Sequence, residues 1–169
     1  MNIILTGFMG TGKTLIGKLL SERLNYKYID IDTIIEEREK MAIVDIFREK
    51  GEGYFRNVET EVIREIIPQV DNSVISVGGG AILRKINVDI MKNNGIIVLL
   101  TATPETIYER LKHDTTRPLL KVNNPKEKIV SLLSSRNAYY YENCNIAVST
   151  NNRTPEDIVE EIISKLKIN

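Results

Sequence analysis

Eight consecutive residues near the start of the chain, Gly7, Phe8, Met9, Gly10, Thr11, Gly12, Lys13 and Thr14, have the spacing G-x-x-x-x-G-K-[ST]. Glycines at these places let successive backbone N–H groups converge on phosphate oxygens, and a helix starting just after them adds its positive end. Lys13 can then reach the terminal phosphates and Thr14 a Mg²⁺ ion bound to them. Gly10, Thr11, Gly12, Lys13 and Thr14 are therefore candidate nucleotide ligands, with ATP and Mg²⁺ as the implied partners. The loop alone does not separate phosphoryl transfer to a small molecule from ATP hydrolysis that does work, or from a nucleotide-controlled switch. A motor or switch ends a later strand with an Asp that holds Mg²⁺. The corresponding run here, Val74, Ile75, Ser76, Val77, leads into Gly78, Gly79 and Gly80 without a carboxylate.

The nearest carboxylates are Asp30 and Asp32, in Tyr28-Ile29-Asp30-Ile31-Asp32. In extended chain they point to the same side. One could help hold the Mg²⁺ shell while the other accepts the proton of an attacking hydroxyl. Asp32 would equally well cap a helix that starts at Thr33, and the sequence leaves both roles open.

Arg136 carries a sharper signal. Ile129, Leu132, Leu133, Arg136 and Tyr140 follow helical spacing, which puts this guanidinium on an apolar face. An inward charge needs either an internal carboxylate or a bound anion. Arg56 follows Phe55 at the expected start of a helix, with Glu59 one turn later as an orienting partner or as half of an exposed pair. Arg117 precedes Pro118, Leu119 and Leu120 within a polar stretch, residues 113–125, whose length suits a lid or a binding loop. Gly78, Gly79 and Gly80 permit close backbone approach to a ligand, or a plain turn. His113 and the run Tyr139, Tyr140, Tyr141 receive no role in binding.

The elements that must position these groups follow from hydrophobic periodicity. Apolar runs at residues 2–6, 26–30, 73–77, 95–101 and 145–149 read as strands. Helical spacing joins Leu15, Ile16, Leu19, Leu20 and Leu24, then Val58, Val62, Ile63, Ile66 and Ile67, then Ile158, Val159, Ile162, Ile163 and Leu166. Continuous apolar strands alternating with helices predict an α/β fold, a three-layer α/β/α sandwich around a parallel sheet, with ligands beyond the carboxyl ends of the strands.

The length of 169 residues, with 42% hydrophobic and 27% charged, suits one domain over residues 1–169. Lys plus Arg equals Asp plus Glu at 23 each, so no overall field draws the chain to nucleic acid or an acidic membrane. A single cysteine, Cys144, excludes an internal disulfide. With no leader-like start and no spanning apolar run, the expectation is a cytoplasmic protein, and a monomer.

Taken together, GFMGTGKT, the Asp30 and Asp32 pair, Phe55-Arg56 with Glu59, the triple glycine, Arg117-Pro118-Leu119-Leu120, and Arg136 with its tyrosines resemble shikimate kinase over nearly the whole chain. The resemblance implies a fold of the nucleoside monophosphate kinase type with five parallel strands, and transfer of the ATP γ-phosphate to the 3-hydroxyl of shikimate on the way to aromatic amino acids. It implies that Asp32 holds the substrate hydroxyls and acts as base, with Asp30 in the Mg²⁺ shell. Arg56 and Arg136 become a carboxylate clamp, a task suited to planar guanidinium forks. Gly79 and Gly80 approach the substrate ring, Phe47 and Phe55 wall the pocket, Arg117 closes on phosphate, and Arg110 and Pro155 neighbour the adenine. The alternatives are a gluconate-type or nucleotide kinase with other acceptor contacts, and a non-catalytic ATP-binding regulator.

Overall fold

The computed structural model describes residues 1–114 and 120–168. Five parallel strands, β1 (Asn2–Thr6), β2 (Lys27–Asp30), β3 (Ser73–Ser76), β4 (Gly95–Thr101) and β5 (Ile146–Ser149), form a sheet in the order β2-β3-β1-β4-β5. β1 lies at the centre, with Ile4 in register with Ile75 of β3 and Ile97 of β4. All five β1 residues are buried. Burial on both faces is why these strands are continuous apolar runs rather than alternating ones.

The helices are α1 (Lys13–Leu24), α2 (Ile31–Glu39), α3 (Ile43–Ile66), α4 (Lys85–Asn94), α5 (Pro104–Leu111), α6 (Pro125–Asn143) and α7 (Pro155–Leu166). Successive strand side chains alternate between two cores. Ile3 and Leu5 join Val98 and Leu100 under Ile16 and Leu20 of α1 and Ile158, Val159 and Ile162 of α7. Ile4 joins Ile75, Ile97 and Leu99 under Val62 and Ile63 of α3, Val88 and Met91 of α4, Ile107 of α5 and Ile129 of α6. The sheet is thus sandwiched between two helical layers, as the strand and helix alternation predicts.

Two local expectations are corrected. The chain does not stay extended through Asp32. α2 begins at Ile31, and Asp30 rather than Asp32 is its cap, accepting the Asp32 N–H at 3.0 Å. Asp32 therefore projects from the first helical turn, so the two carboxylates diverge by helical rather than strand geometry. Nor does Arg56 start a helix. It lies within α3, one turn past a kink at Gly51, whose φ of 83° and ψ of 167° interrupt the helical backbone.

Parallel strands in this order end at one edge of the sheet. β1 runs into the glycine loop at Gly7, β2 ends on Asp30, and β3 runs through Ser76 and Val77 into Gly78. The groups singled out for chemistry come together there because their strands are neighbours.

Candidate active site

The phosphate loop connects β1 to α1 as its motif requires. Gly12 caps α1 in the left-handed region, φ 97°, with no side-chain cap and no acidic residue in the first turn. The first N–H groups of α1 are left for an anion to satisfy. Thr11 is buried, and its hydroxyl donates to the Phe8 carbonyl at 2.8 Å, so its side chain braces the loop from inside. Lys13 Nζ donates to the carbonyls of Gly7 at 2.8 Å and Phe8 at 3.1 Å, which folds the ammonium over the loop's own rim. Phosphate oxygens would take over those bonds.

Beside the loop opens a cavity of about 310 Å³. Its walls bring together Thr14, Asp30, Asp32, Phe47, Phe55, Arg56, Gly78, Gly79, Gly80 and Arg136. All of these were singled out in the sequence, and they come from distant stretches of chain. Phe47 and Phe55, on either side of the Gly51 kink, stack with ring centroids 4.8 Å apart and form the apolar wall.

The two arginines differ. Arg56 Nη1 donates to Glu59 Oε2 at 2.8 Å, and Nη2 reaches Glu52 at 3.4 Å. Burial works against its positive charge, but Glu59 and Glu52 outweigh this and hold its pKa above the ordinary arginine value. Glu59 is fully buried, and its Oε1 has no hydrogen-bond partner among the described residues. Burial is the largest influence on this carboxyl and raises its pKa, against the pull of the adjacent Arg56 guanidinium. Arg136 is only 4% exposed yet forms no ion pair with a described carboxylate. Its guanidinium lies 5.7 Å from the centre of the Phe8 ring, and its charge favours the ionised form of the nearby Tyr140 phenol. Of the two partners the sequence allowed for it, an internal carboxylate is thus not found among the described residues. Burial pushes the Tyr140 phenol up to about 12, so it stays protonated and donates to the Gly79 carbonyl at 2.6 Å.

The triple glycine is explained by what crowds it. A Cβ on Gly80 would stand 2.3 Å from Arg56 Nη2, and one on Gly78 would stand 2.6 Å from Glu59 Oε1 and 3.2 Å from Asp32 Oδ1. Absence of side chains lets Arg56, Glu59 and Asp32 close over this segment.

Among the described residues no group of three or more His, Cys, Asp or Glu could cage a metal. Mg²⁺ carried by nucleotide phosphates needs no cage, only one or two hard oxygen donors. The Thr14 hydroxyl and the Asp30 carboxylate are such donors and line the same cavity beside the phosphate loop. The donor set therefore fits Mg²⁺.

On the far side of the loop, Arg110 donates to the Gly10 carbonyl at 2.9 Å and to the Thr150 carbonyl at 2.9 Å, tying the phosphate loop to the end of β5. A hollow beside it is lined by Glu105, Thr106, Glu109, Arg110, Asn152 and Arg153. Pro155 opens α7 after the cap Thr154 and does not line that hollow. Arg117 and most of its apolar neighbours lie outside the described residues, so the expected loop at 113–125 is described only at its two ends.

Several site residues escaped sequence reasoning. Met9 lines the cavity from within the phosphate loop, and Thr33, Glu36, Ala42, Ile43 and Val44 do so from α2 and the start of α3. Met9 was detectable as a non-glycine position of the loop. The α2–α3 residues carry no local signal, because only the fold places them there. Arg84 was missed as well: it donates to the Arg56 carbonyl at 3.0 Å and to Asn57 at 2.9 Å, fixing α3 at Arg56 to the segment after the glycines.

Comparison with known proteins places this geometry in one family. The family model for shikimate kinase matches residues 9–167. A shikimate kinase from Sulfurihydrogenibium sp. is 47% identical over 98% of each chain. One from Thermodesulfovibrio yellowstonii is 44% identical over 97% of this chain and 94% of its own. The solved structure of shikimate kinase from Acinetobacter baumannii in complex with shikimate superposes with a TM-score of 0.95 at 36% identity, covering 98% of this chain and 92% of that one.

Proposed function

The chain belongs to the shikimate kinase family, an ATP-dependent kinase of shikimate, and on that premise we propose which of its residues carry the transfer of the γ-phosphate to the 3-hydroxyl. The phosphate loop, through Gly10, Thr11, Gly12 and Lys13, holds the ATP phosphates, with Lys13 exchanging its carbonyl partners for phosphate oxygens. Thr14 and Asp30 hold Mg²⁺, which when bound neutralises charge on the phosphates. Arg56 and Arg136 grip the shikimate carboxylate as two forks, and Phe47 and Phe55 pack against the ring. Gly79 and Gly80 allow the ring to approach the backbone. Asp32, on the first turn of α2, accepts the hydroxyl proton or holds that hydroxyl in line with the γ-phosphate. Arg110 and Pro155 flank the adenine, and Arg117 closes on the phosphates from the 113–125 loop. The chain works as one domain and a monomer. We place the enzyme in the cytoplasm; no helix among the described residues is long and apolar enough to cross a membrane.

One observation carries this reading: Arg136 is buried without a described carboxylate, in the same cavity as Asp32 and the Glu59-braced Arg56. A buried cation in that state calls for an anionic ligand, and a small acid bearing hydroxyls answers both ends of the cavity. A coupled assay of ADP release with shikimate, gluconate, a nucleoside monophosphate or no acceptor tests it. Release confined to shikimate is expected. Turnover with gluconate or a nucleotide in place of shikimate would refute the acceptor assignment, and acceptor-independent ATP binding without turnover would favour a regulator.

A further inference from the structure

Tyr28 of β2 has its ring against α1, where a Cβ on Gly17 would stand 2.5 Å from its Cε2. Its hydroxyl is thereby fixed at the strand's end. It donates to Asp30 Oδ2 at 3.1 Å, and the hydroxyls of Thr14 and Ser76 stand near enough to the same phenol to favour its charged form. The other Asp30 oxygen, Oδ1, is already engaged as the α2 cap. One phenol thus stands between the hydroxyl and the carboxylate assigned above to Mg²⁺, bonded to the second and beside the first.

A hydroxyl that binds a cation through a lone pair must send its hydrogen elsewhere, and a carboxylate binds in a defined direction only if something fixes its rotation. We propose that Tyr28 is a positioning residue for the Mg²⁺ site: it takes the Thr14 hydrogen on its phenol oxygen and gives its own to Asp30 Oδ2, so that both ligands face the metal. This rests on the assignment of Thr14 and Asp30 to Mg²⁺. Ser76 stands opposite Asp30 in the β2–β3 register, the place where the absent strand-end carboxylate was first missed. In this chain the phenol links that neighbouring strand to the metal pair.

Tyr28→Phe in the full-length enzyme tests the proposal, because the ring and its packing on Gly17 remain and only the oxygen is lost. The readout is Mn²⁺ binding to the enzyme·ADP complex, followed by electron paramagnetic resonance, with the Mg²⁺ dependence of turnover beside it. The expected result is Mn²⁺ affinity weakened on the order of tenfold, with the KM for shikimate within twofold of wild type. Thr14→Ala and Asp30→Asn run in parallel, and Ser76→Ala removes the other hydroxyl near the phenol, one not assigned to the metal.

Weakening in Thr14→Ala and Asp30→Asn but not in Tyr28→Phe overturns the role of Tyr28 alone. If neither Thr14→Ala nor Asp30→Asn weakens Mn²⁺ binding, the metal assignment falls and takes this inference with it. Equal weakening in Ser76→Ala would show a general disturbance of the strand ends and would also overturn the bridge. A lower melting temperature with unchanged Mn²⁺ affinity would make Tyr28 merely structural.

Discussion

Replacing Gly80 with alanine is expected to cripple shikimate binding while sparing the nucleotide. Gly80 has φ −95° and ψ −5°, a conformation alanine adopts freely, so backbone strain contributes nothing. The added Cβ would instead lie 2.3, 2.4 and 2.5 Å from Nη2, Cζ and Nη1 of Arg56. Non-bonded carbon contacts settle near ~3.5 Å, so the guanidinium must retreat by roughly 1 Å or more. It is held by the 2.8 Å bond to Glu59, and moving it leaves a fully buried carboxyl without that partner. The displaced guanidinium no longer meets the substrate carboxylate; a charge-assisted hydrogen bond is worth about 1.5–3 kcal/mol, and losing that contact corresponds to a rise in the shikimate KM of roughly 10- to 100-fold. The assay is ADP release at saturating MgATP with shikimate varied, alongside calorimetric binding of MgADP, which should be unchanged and reports an intact phosphate loop. A shikimate KM within twofold of wild type would refute the reasoning, since it would mean that the guanidinium position is irrelevant to binding.

Asp32→Asn should lower kcat by about 10²- to 10⁴-fold with an unchanged melting temperature; near-full kcat would remove Asp32 from the proton transfer. Arg136→Lys exchanges a fork for a point charge, and the shikimate KM should rise by roughly tenfold; an unchanged KM would return Arg136 to a purely structural place beside Phe8. Glu59 bears on stability against pH. Burial raises its folded pKa, so the native state keeps a proton that the unfolded chain gives up near about pH 4.3, and the stability this supplies is lost as pH rises through the folded value. Urea midpoints of wild type should therefore fall relative to Glu59→Gln as pH rises above the unfolded value of about 4.3. A constant difference would mean that Glu59 is ionised in the native protein throughout.

Strands and their order of chemistry were legible because a parallel sheet buries both faces, which leaves continuous apolar runs that end within a residue of the observed β1 to β5. The glycine loop was legible because its chemistry is contiguous. Arg136 was legible because a charge amid Ile129, Leu133 and Tyr140 breaks the helical pattern. The acidic pair was placed correctly and shaped wrongly: Tyr28 to Asp32 alternates like a strand, yet the Asp30 carboxylate captures the Asp32 N–H and starts α2 two residues early. Arg56 was misplaced by about one turn: Gly51, with φ 83° and ψ 167°, breaks α3, and the helical backbone resumes before Arg56 rather than at it. The walls built from Thr33, Glu36 and residues 42–44 were illegible, since nothing local marks a residue that reaches a site only through the packing of α2 on α3.

A crystal structure of the enzyme with shikimate and MgADP tests the central claim most directly. The shikimate carboxylate should lie within hydrogen-bonding distance of both the Arg56 and Arg136 guanidinium groups, with the 3-hydroxyl against Asp32 and facing the phosphate loop. A carboxylate bound away from Arg136, or a hydroxyl out of reach of Asp32, would contradict the account.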